Sequence, residues 1–556
     1  MTVTDPTDPT GPTGPAPAPA PRSRRGRTAR VLSGVLVVAL TGGVVTLAVL
    51  APPSEADPVP ASTVEVAPAA TTLVCPGPLQ LPDDTLSGDS EFDRVPVAPV
   101  ERVSAFGTAA SGAASLTVLG GEPAALTDGT GVLRSPAAAT VLRADPADGE
   151  PARVAGVTSS VVTDGDLRGL SAASCTRPSA DIWLVGGSTE LESTADLVVV
   201  NPGATAADVT VEAWGPSGAV DLANGASFLV APGEQRVLAL PGVAAEQRRI
   251  AVRVSAAGGQ VSAYLQDALL DGFTPRGTDL VAAGTGPATT QVVPGLSLTA
   301  TDVDAADAGA LRLLAPGADG ATASVRLLGP DGDVALPGAE AVDLAPGEVT
   351  DLSLGGLASG TYTAVVESTE PVVAGAVLAR EGDAGDLDAG PRLERAWAAS
   401  TPTGSGLVAR PAGAAGSLAL TAVPTGAEPE PAPTPSATPS PEPTQGQRPD
   451  PEAEEEPAGP AVTVTVRGYG ASGLLAEEEV EVPVGSTVRY DLADLGEDVL
   501  GAEVVAPDDP AADVAWALVA TVRRSDGILF SVVAPLADAT AVDRAQVRAG
   551  SRVGLD

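Results

Sequence analysis

The side chains of this 556-residue chain that could do chemistry are mostly carboxylates, and two groups of them are closely spaced: Asp302-x-Asp304-x-x-Asp307 and Glu381-x-Asp383-x-x-Asp386-x-Asp388. Hard cations take six to eight oxygen ligands at about 2.3 to 2.6 Å, so Asp302, Asp304, Asp307, Asp383, Asp386 and Asp388 are weak calcium candidates. Neither group has the twelve-residue spacing, with Gly sixth and Glu last, of an EF-hand, and solvated acidic loops are the plainer reading. A glycosidase would use two carboxylates about 5 to 10 Å apart across a cleft. With 71 acidic residues no pair can be singled out, and four Trp, four Tyr and five Phe leave little aromatic surface to position a sugar.

What is missing prunes the rest. The chain has no His, and every basic residue is Arg. Ser-His-Asp and Cys-His systems, Ser-Lys dyads, Schiff-base lysines and His-based zinc or iron sites each need a residue type that is absent. A formal net charge of -40 argues against nucleic acid, whose binding needs clustered cations. The expectation is a protein that is not an enzyme, with no catalytic residue, no cofactor and no nucleic-acid partner. Its two cysteines, Cys75 and Cys175, are an even pair, expected to form a disulfide in an oxidising compartment. The loop closed would be about 100 residues, for which the chain-entropy model gives on the order of 4 to 5 kcal/mol.

The elements that carry these residues are short. Residues 31–50, VLSGVLVVALTGGVVTLAVL, form an uncharged run of twenty, long enough for one transmembrane helix across about 30 Å of hydrocarbon. Arg22, Arg24, Arg25, Arg27 and Arg30 precede it, and Glu55 and Asp57 follow. The positive-inside rule then leaves residues 1–30 as a disordered cytoplasmic tail and puts the remainder outside the cytoplasm. A cleaved signal peptide is the rival reading, but its apolar region is usually shorter. Residues 51–70 read as a Pro- and Ala-rich stalk.

Beyond the stalk, Val- and Leu-rich runs are broken by Gly, Pro, Asp and Asn every eight to twelve residues, the pattern of an all-β sandwich or barrel. Sliding the chain against itself by 114 residues aligns Pro202-Gly203 with Pro316-Gly317, and Gly215-Pro216-x-Gly218 with Gly329-Pro330-x-Gly332. Ala231-Pro232-Gly233-Glu234 meets Ala345-Pro346-Gly347-Glu348 at the same offset, and Leu197, Val211 and Val230 meet Leu311, Val325 and Leu344. Turns and strand faces coincide, so each copy is expected to be one immunoglobulin-like sandwich.

The expected organisation is a divergent β unit at 71–175, sandwich repeats at 176–285 and 286–394, and a third repeat at 395–556. The last would open at Arg395-Ala396-Trp397 and hold residues 427–460, rich in Pro and Glu, as a disordered insertion in one loop. A linker between two domains is the alternative for that tract. Thr71-Thr72-Leu73-Val74-Cys75-Pro76-Gly77 echoes Thr289-Thr290-Gln291-Val292-Val293-Pro294-Gly295, so the disulfide is expected to tie the opening of the first unit to that of the next. Trp183, Trp214, Trp397 and Trp516 read as core anchors.

Cys175-Thr176-Arg177-Pro178 running into Trp183-Leu184-Val185-Gly186-Gly187, with the Asn201-Pro202-Gly203 and Ala231-Pro232-Gly233-Glu234 turns, resembles the actinobacterial secreted family of unknown function numbered 5719. The resemblance implies a cell-envelope location beside polysaccharide assembly and brings no catalytic residues. Function is therefore expected to be that of a non-enzymatic envelope scaffold or interaction protein, held by its N-terminal helix in the cell membrane and contacting an envelope protein or cell-wall polysaccharide. The alternatives are an accessory subunit of a polysaccharide glycosyltransferase, a carboxylate-dependent carbohydrate-active enzyme, and a calcium-stiffened adhesin.

Overall fold

The computed structural model describes residues 36, 38–40, 62–65, 68–81, 99–108, 111–305, 307–385, 388, 390–426, 460–538 and 544–547. They fall into two units, residues 1–66 with 544–556, and residues 67–543. In the first unit Ser62–Glu65 pairs antiparallel with Arg544–Val547, Glu65 opposite Arg544. Of the expected span 31–50, only Leu36 and residues 38–40 are described; they are helical, and the rest lies outside the described residues. Among the described residues no helix is long and apolar enough to cross a membrane.

The second unit is all β. Alternation does the local work: Ala207–Gly215 buries every other side chain, with Val209, Val211 and Ala213 inward. Its strands form four sandwiches of one topology. In the first, one sheet has the order first, sixth, third, fourth strand (Thr71–Cys75, Thr140–Pro146, Ser111–Val118, Pro123–Ala125). The facing sheet has the order fifth, second, seventh, eighth (Thr130–Arg134, Val100–Gly107, Val154–Val162, Gly169–Ser174). The second sandwich, from Asp181–Val185 to Thr274–Val281, and the fourth, from Gly406–Ala409 to Gly527–Val533, repeat both orders. The third does so with one 22-residue strand, Gly360–Glu381. Its first half serves as sixth strand beside Ala321–Gly329, and its second half as seventh beside Ala310–Leu314.

This topology corrects two expectations, the opening of the last repeat and the immunoglobulin-like strand order. The first unit, divergent in sequence, has the same strand order as the others. The boundary expected at 394/395 falls inside Leu393–Ala399, the eighth strand of the third sandwich, which pairs with Gly360–Glu381 so that Trp397 faces Val377. Alternating apolar residues around a Trp read alike in a first and in an eighth strand, since alternation fixes faces and not order. The fourth sandwich opens instead at Gly406–Ala409. Its second strand ends at Pro424 and its third begins at Ala461, so the Pro- and Glu-rich tract, which lies outside the described residues, joins two strands of one sandwich. Finally, strands two and five and strands three and six pair as B with E and C with F do in an immunoglobulin sandwich. The first strand, however, takes the place of G beside the sixth, and the seventh takes that of A beside the second.

The disulfide joins Cys75 and Cys175, both fully buried in the core of the first sandwich with Leu73, Val103 and Leu142. It spans from the first strand to the residue after the eighth, so it staples one sandwich and not the joint to the next. The chain must cross that point before it leaves, because Thr176 still bridges to Val74 through paired backbone hydrogen bonds of 2.8 and 2.9 Å.

The sandwiches close into a ring. Val74 and Ala173 of the first pack with Val198, Val200 and Tyr264 of the second. Trp397 of the third enters the core of the second, and Phe530 and Val532 of the fourth enter that of the third. Phe106, Val157 and Ala172 of the first complete the core of the fourth, Phe106 stacking on Tyr469 at 5.5 Å.

Candidate functional site

Each eighth strand is the edge of its sheet, with one row of backbone N–H and C=O groups left unpaired. All four of these edges, Gly169–Ser174, Thr274–Val281, Leu393–Ala399 and Gly527–Val533, meet at the centre of the ring, where water is excluded. An unpaired buried N–H costs as much as a lost hydrogen bond, so partners must come from side chains. Two carboxylates supply them.

Glu394, on the third sandwich's eighth strand, accepts the Leu170 N–H at 2.7 Å and the Phe530 N–H at 3.3 Å through one oxygen. One residue thus ties edges from three sandwiches. Its second oxygen faces the buried Arg168 guanidinium at 3.7 Å. Asp279, on the second sandwich's eighth strand, accepts the N–H groups of Trp397 at 2.9 Å and Ala172 at 3.3 Å. The Ser531 hydroxyl stands 3.1 Å from both the Asp279 carboxylate and the Ala172 carbonyl. Ser171 donates to the Thr278 carbonyl at 3.0 Å. Around this centre Asp267 accepts the Trp397 indole N–H at 2.9 Å and pairs with Arg395 at 3.2 Å, while Arg168 reaches Asp526 at 3.1 Å.

Burial raises the carboxyl groups of Asp279 and Glu394 well above the ordinary carboxylate range, against the opposing pull of the N–H groups they accept. Arg168 also pulls Glu394 down, and Asp279 pushes it up. At the joint of the first two sandwiches, burial raises Asp196 to about 6. Raised carboxyl pKa values also mark catalytic acids. Here Asp279 turns both oxygens, and Glu394 one, to backbone N–H groups, an arrangement that seals strand edges.

The calcium candidates are not brought together. Among the described residues no group of three or more acidic, His or Cys side chains could hold a metal ion. Asp307 pairs with Arg276, and Asp388 with Arg392 at 2.6 Å. Asp302, Asp304 and Asp383 stand in loops outside the strands, and Asp386 lies outside the described residues. The reason is local: each acidic run has an Arg within reach, which takes a carboxylate without the six-fold convergence a cation needs.

A cavity of about 600 Å³ opens at the outer end of the third sandwich, with Asp331, Asp351, Leu336 and Tyr362 in its wall. Asp351 is held by Arg312 through two bonds of 2.8 and 3.0 Å, and the Tyr362 hydroxyl donates to the Ala358 carbonyl. A second cleft, of about 340 Å³, lies where the fourth sandwich meets the first, lined by Pro151, Val154, Leu407 and Leu536 with Arg153 and Arg177 at its margin.

Sequence reading missed Glu394, Asp279 and Arg168 altogether. The one available signal was an acid inside an apolar strand pattern, as in Thr278-Asp279-Leu280-Val281 and Leu393-Glu394-Arg395-Ala396. It is a weak signal, because alternation sends every second residue to solvent in an ordinary edge strand.

Fold and centre together define a class: all-β proteins in which repeated sandwiches close on a buried polar hub. The chain belongs to the family of unknown function DUF5719, whose model matches residues 132–441. That match covers the second and third sandwiches entirely and reaches past the second strand of the fourth. No curated protein matches the chain. Among solved structures, a chain described as "Biofilm associated protein - BSP domain" is similar at 9% identity over 86% of this chain and 98% of that one, with a TM-score of 0.13. Another, Escherichia coli alpha-2-macroglobulin activated by porcine elastase, is similar at 13% identity over 84% of this chain and 44% of that one, with a TM-score of 0.08. Both TM-scores are too low to place this fold with theirs.

Proposed function

We propose that the protein is a non-enzymatic scaffold of the cell envelope, carried outside the cytoplasm on the apolar segment 31–50 and offering rigid surfaces to an envelope protein or cell-wall polysaccharide. The observation that carries this reading is the hub. Four sandwiches that could have been a flexible string are joined at four sealed edges, an arrangement that fixes the positions of their outward loops. The Cys75–Cys175 disulfide supports an oxidising compartment. The placement of Asp279 and Glu394 supports it as well, because both accept backbone N–H groups of neighbouring sandwiches.

The test is cross-linking on intact cells with a membrane-impermeant reagent, followed by mass spectrometry of what is joined to the full-length protein. The reagent must be carboxylate-directed, since the chain offers no Lys. Stoichiometric joining to a membrane-bound or wall-associated envelope component is expected. Protection of the whole chain from the reagent, or its recovery with cytoplasmic proteins, would overturn the reading.

A further inference from the structure

Directly after the disulfide, residues 76–81, Pro76-Gly77-Pro78-Leu79-Gln80-Leu81, belong to no strand and lie as a strap over the joint between the first and second sandwiches. Leu79 and Leu81 pack on Val162 and Leu167 of the first and on Ala268 and Leu270 of the second. A few polar bonds hold the strap down. The Thr158 hydroxyl donates to the Pro76 carbonyl at 2.8 Å, the Gly77 N–H to the Tyr264 hydroxyl at 2.9 Å, and the Gln80 N–H to the Gln266 side-chain carbonyl at 2.8 Å. The Gln266 amide donates back to the Gln80 carbonyl.

Two carboxylates flank the strap, one from each sandwich. Asp196 stands on Ser193–Val200, whose Val198 and Val200 face the first sandwich. Around it are Gln235 and Val237 of the fifth strand, Tyr264 and Gln266 of the seventh, and Gly77, Pro78 and Gln80 of the strap. Among these the one titratable group is the Tyr264 phenol, whose pKa burial raises. The gap they enclose is about 10 Å³, room for one water at most. Asp196 Oδ1 is buried without a hydrogen-bond partner.

On the other side Glu101, in the second strand of the first sandwich, accepts the Leu79 N–H, and its Oε1 is likewise buried without a partner. Opposite it on the seventh strand is Ser160, and the neighbouring Arg102 reaches instead to the Ala412 carbonyl. Among the described residues no Arg lies at ion-pair distance from either carboxylate. A neutral carboxyl can occupy such a place, but a charged one needs water or a cation. The strands on both sides are tied into sheets, so the strap is the cover that can yield.

We propose that residues 76–81 are a pH-operated strap, closed over the joint while Asp196 and Glu101 are protonated and lifted, hinged at Cys75, once they ionise. Lifting lets water reach both carboxylates and uncovers Val162, Leu167, Ala268 and Leu270. The device does not depend on where the protein resides, so it goes beyond the scaffold reading and stands if that reading fails.

Hydrogen exchange of the full-length protein in detergent, corrected for the intrinsic pH dependence of exchange and read on peptides covering Gly77, Leu79, Gln80 and Leu81, tests it. Burial raises the Asp196 carboxyl from 3.8 to about 6, so the closed strap binds the proton more tightly than the lifted one. Closure is favoured most below about pH 4 and is lost as pH rises through 6. Protection of the strap amides should therefore fall about 50-fold between pH 4 and pH 7, with Glu101, shifted in the same direction, adding to the fall. Ala207–Gly215, inside the second sandwich, should keep its protection. Asp196→Asn with Glu101→Gln keeps the shapes and removes the charges, and should hold the strap closed at every pH. Equal protection of the parent's strap at pH 4 and pH 7 overturns the proposal. So does a fall shared equally by Ala207–Gly215, or one that persists in the folded double variant.

Discussion

Two edges of this molecule solve the same problem with the same residue type in opposite ways. At the hub, the eighth strands hide their open edges against each other, and Glu394 and Asp279 enter the dry interior to accept what the edges offer. On the fourth sandwich's fourth strand, Gly473–Pro483, the open edge faces water, and Glu477, Glu478, Glu479 and Glu481 stand exposed along it. There the carboxylates repel any second strand that would pair. An acid on an edge strand is therefore either a seal or a guard, and burial decides which.

Breaking the seal should have the largest effect. Glu394→Ala leaves the Leu170 and Phe530 N–H groups without acceptors and Arg168 with Asp526 as its remaining carboxylate, and should cost about 3 to 5 kcal/mol in urea or thermal unfolding. Glu394→Gln keeps an acceptor oxygen and should recover most of that loss. A loss as large with Gln as with Ala would show that charge, and not acceptance, holds the hub.

Next comes pH. The folded pKa of Asp196 is raised from 3.8 to about 6, so the folded state binds its proton more tightly than the unfolded chain does. Its contribution is complete below about pH 4 and is lost as pH rises through 6, amounting to roughly 3 kcal/mol. Asp279 and Glu394 act in the same direction. Melting temperatures of the parent and of Asp196→Asn should coincide near pH 4 and separate by pH 7, with the variant more stable; parallel curves would remove Asp196 from the account.

Smaller effects fall at the loops and the guarded edge. Deleting residues 428–459 shortens one loop between strands of a single sandwich about ninefold and should raise stability by no more than about 2 kcal/mol, since closure entropy adds only about 0.6 kcal/mol per doubling of length. Glu479→Val with Glu481→Val should leave stability within about 0.5 kcal/mol of the parent yet promote association, read by light scattering. A stability loss there comparable to that of Glu394→Ala would erase the distinction between seal and guard.

The two edges also explain what could be read in advance. The offset of 114 carries over unchanged from the third strand of the second sandwich, Ala207–Gly215, to that of the third, Ala321–Gly329, because turns need Pro and Gly and core faces need apolar residues at fixed places. Those are local demands, and sequence displays them. The hub is a demand between sandwiches. Glu394 lies in sequence more than two hundred residues from Leu170 and more than one hundred from Phe530, and nothing in its neighbours Leu393 and Arg395 says which edges it will meet. Strand order was equally silent, so a first strand was assigned where Arg395-Ala396-Trp397 is a last one. The pairing of Cys75 with Cys175 was legible from their number alone, but the level at which it acts, inside one sandwich, was not.

Closure of the ring sets the copy number. A linear array can gain or lose a repeat and keep its remaining joints, but here each sandwich already has a neighbour on both sides, and a fifth would find no edge to share. Removing one would expose two rows of dehydrated backbone at once. Growth and loss of sequence over time must then be confined to loops such as the one between Pro424 and Ala461, while the number four stays locked.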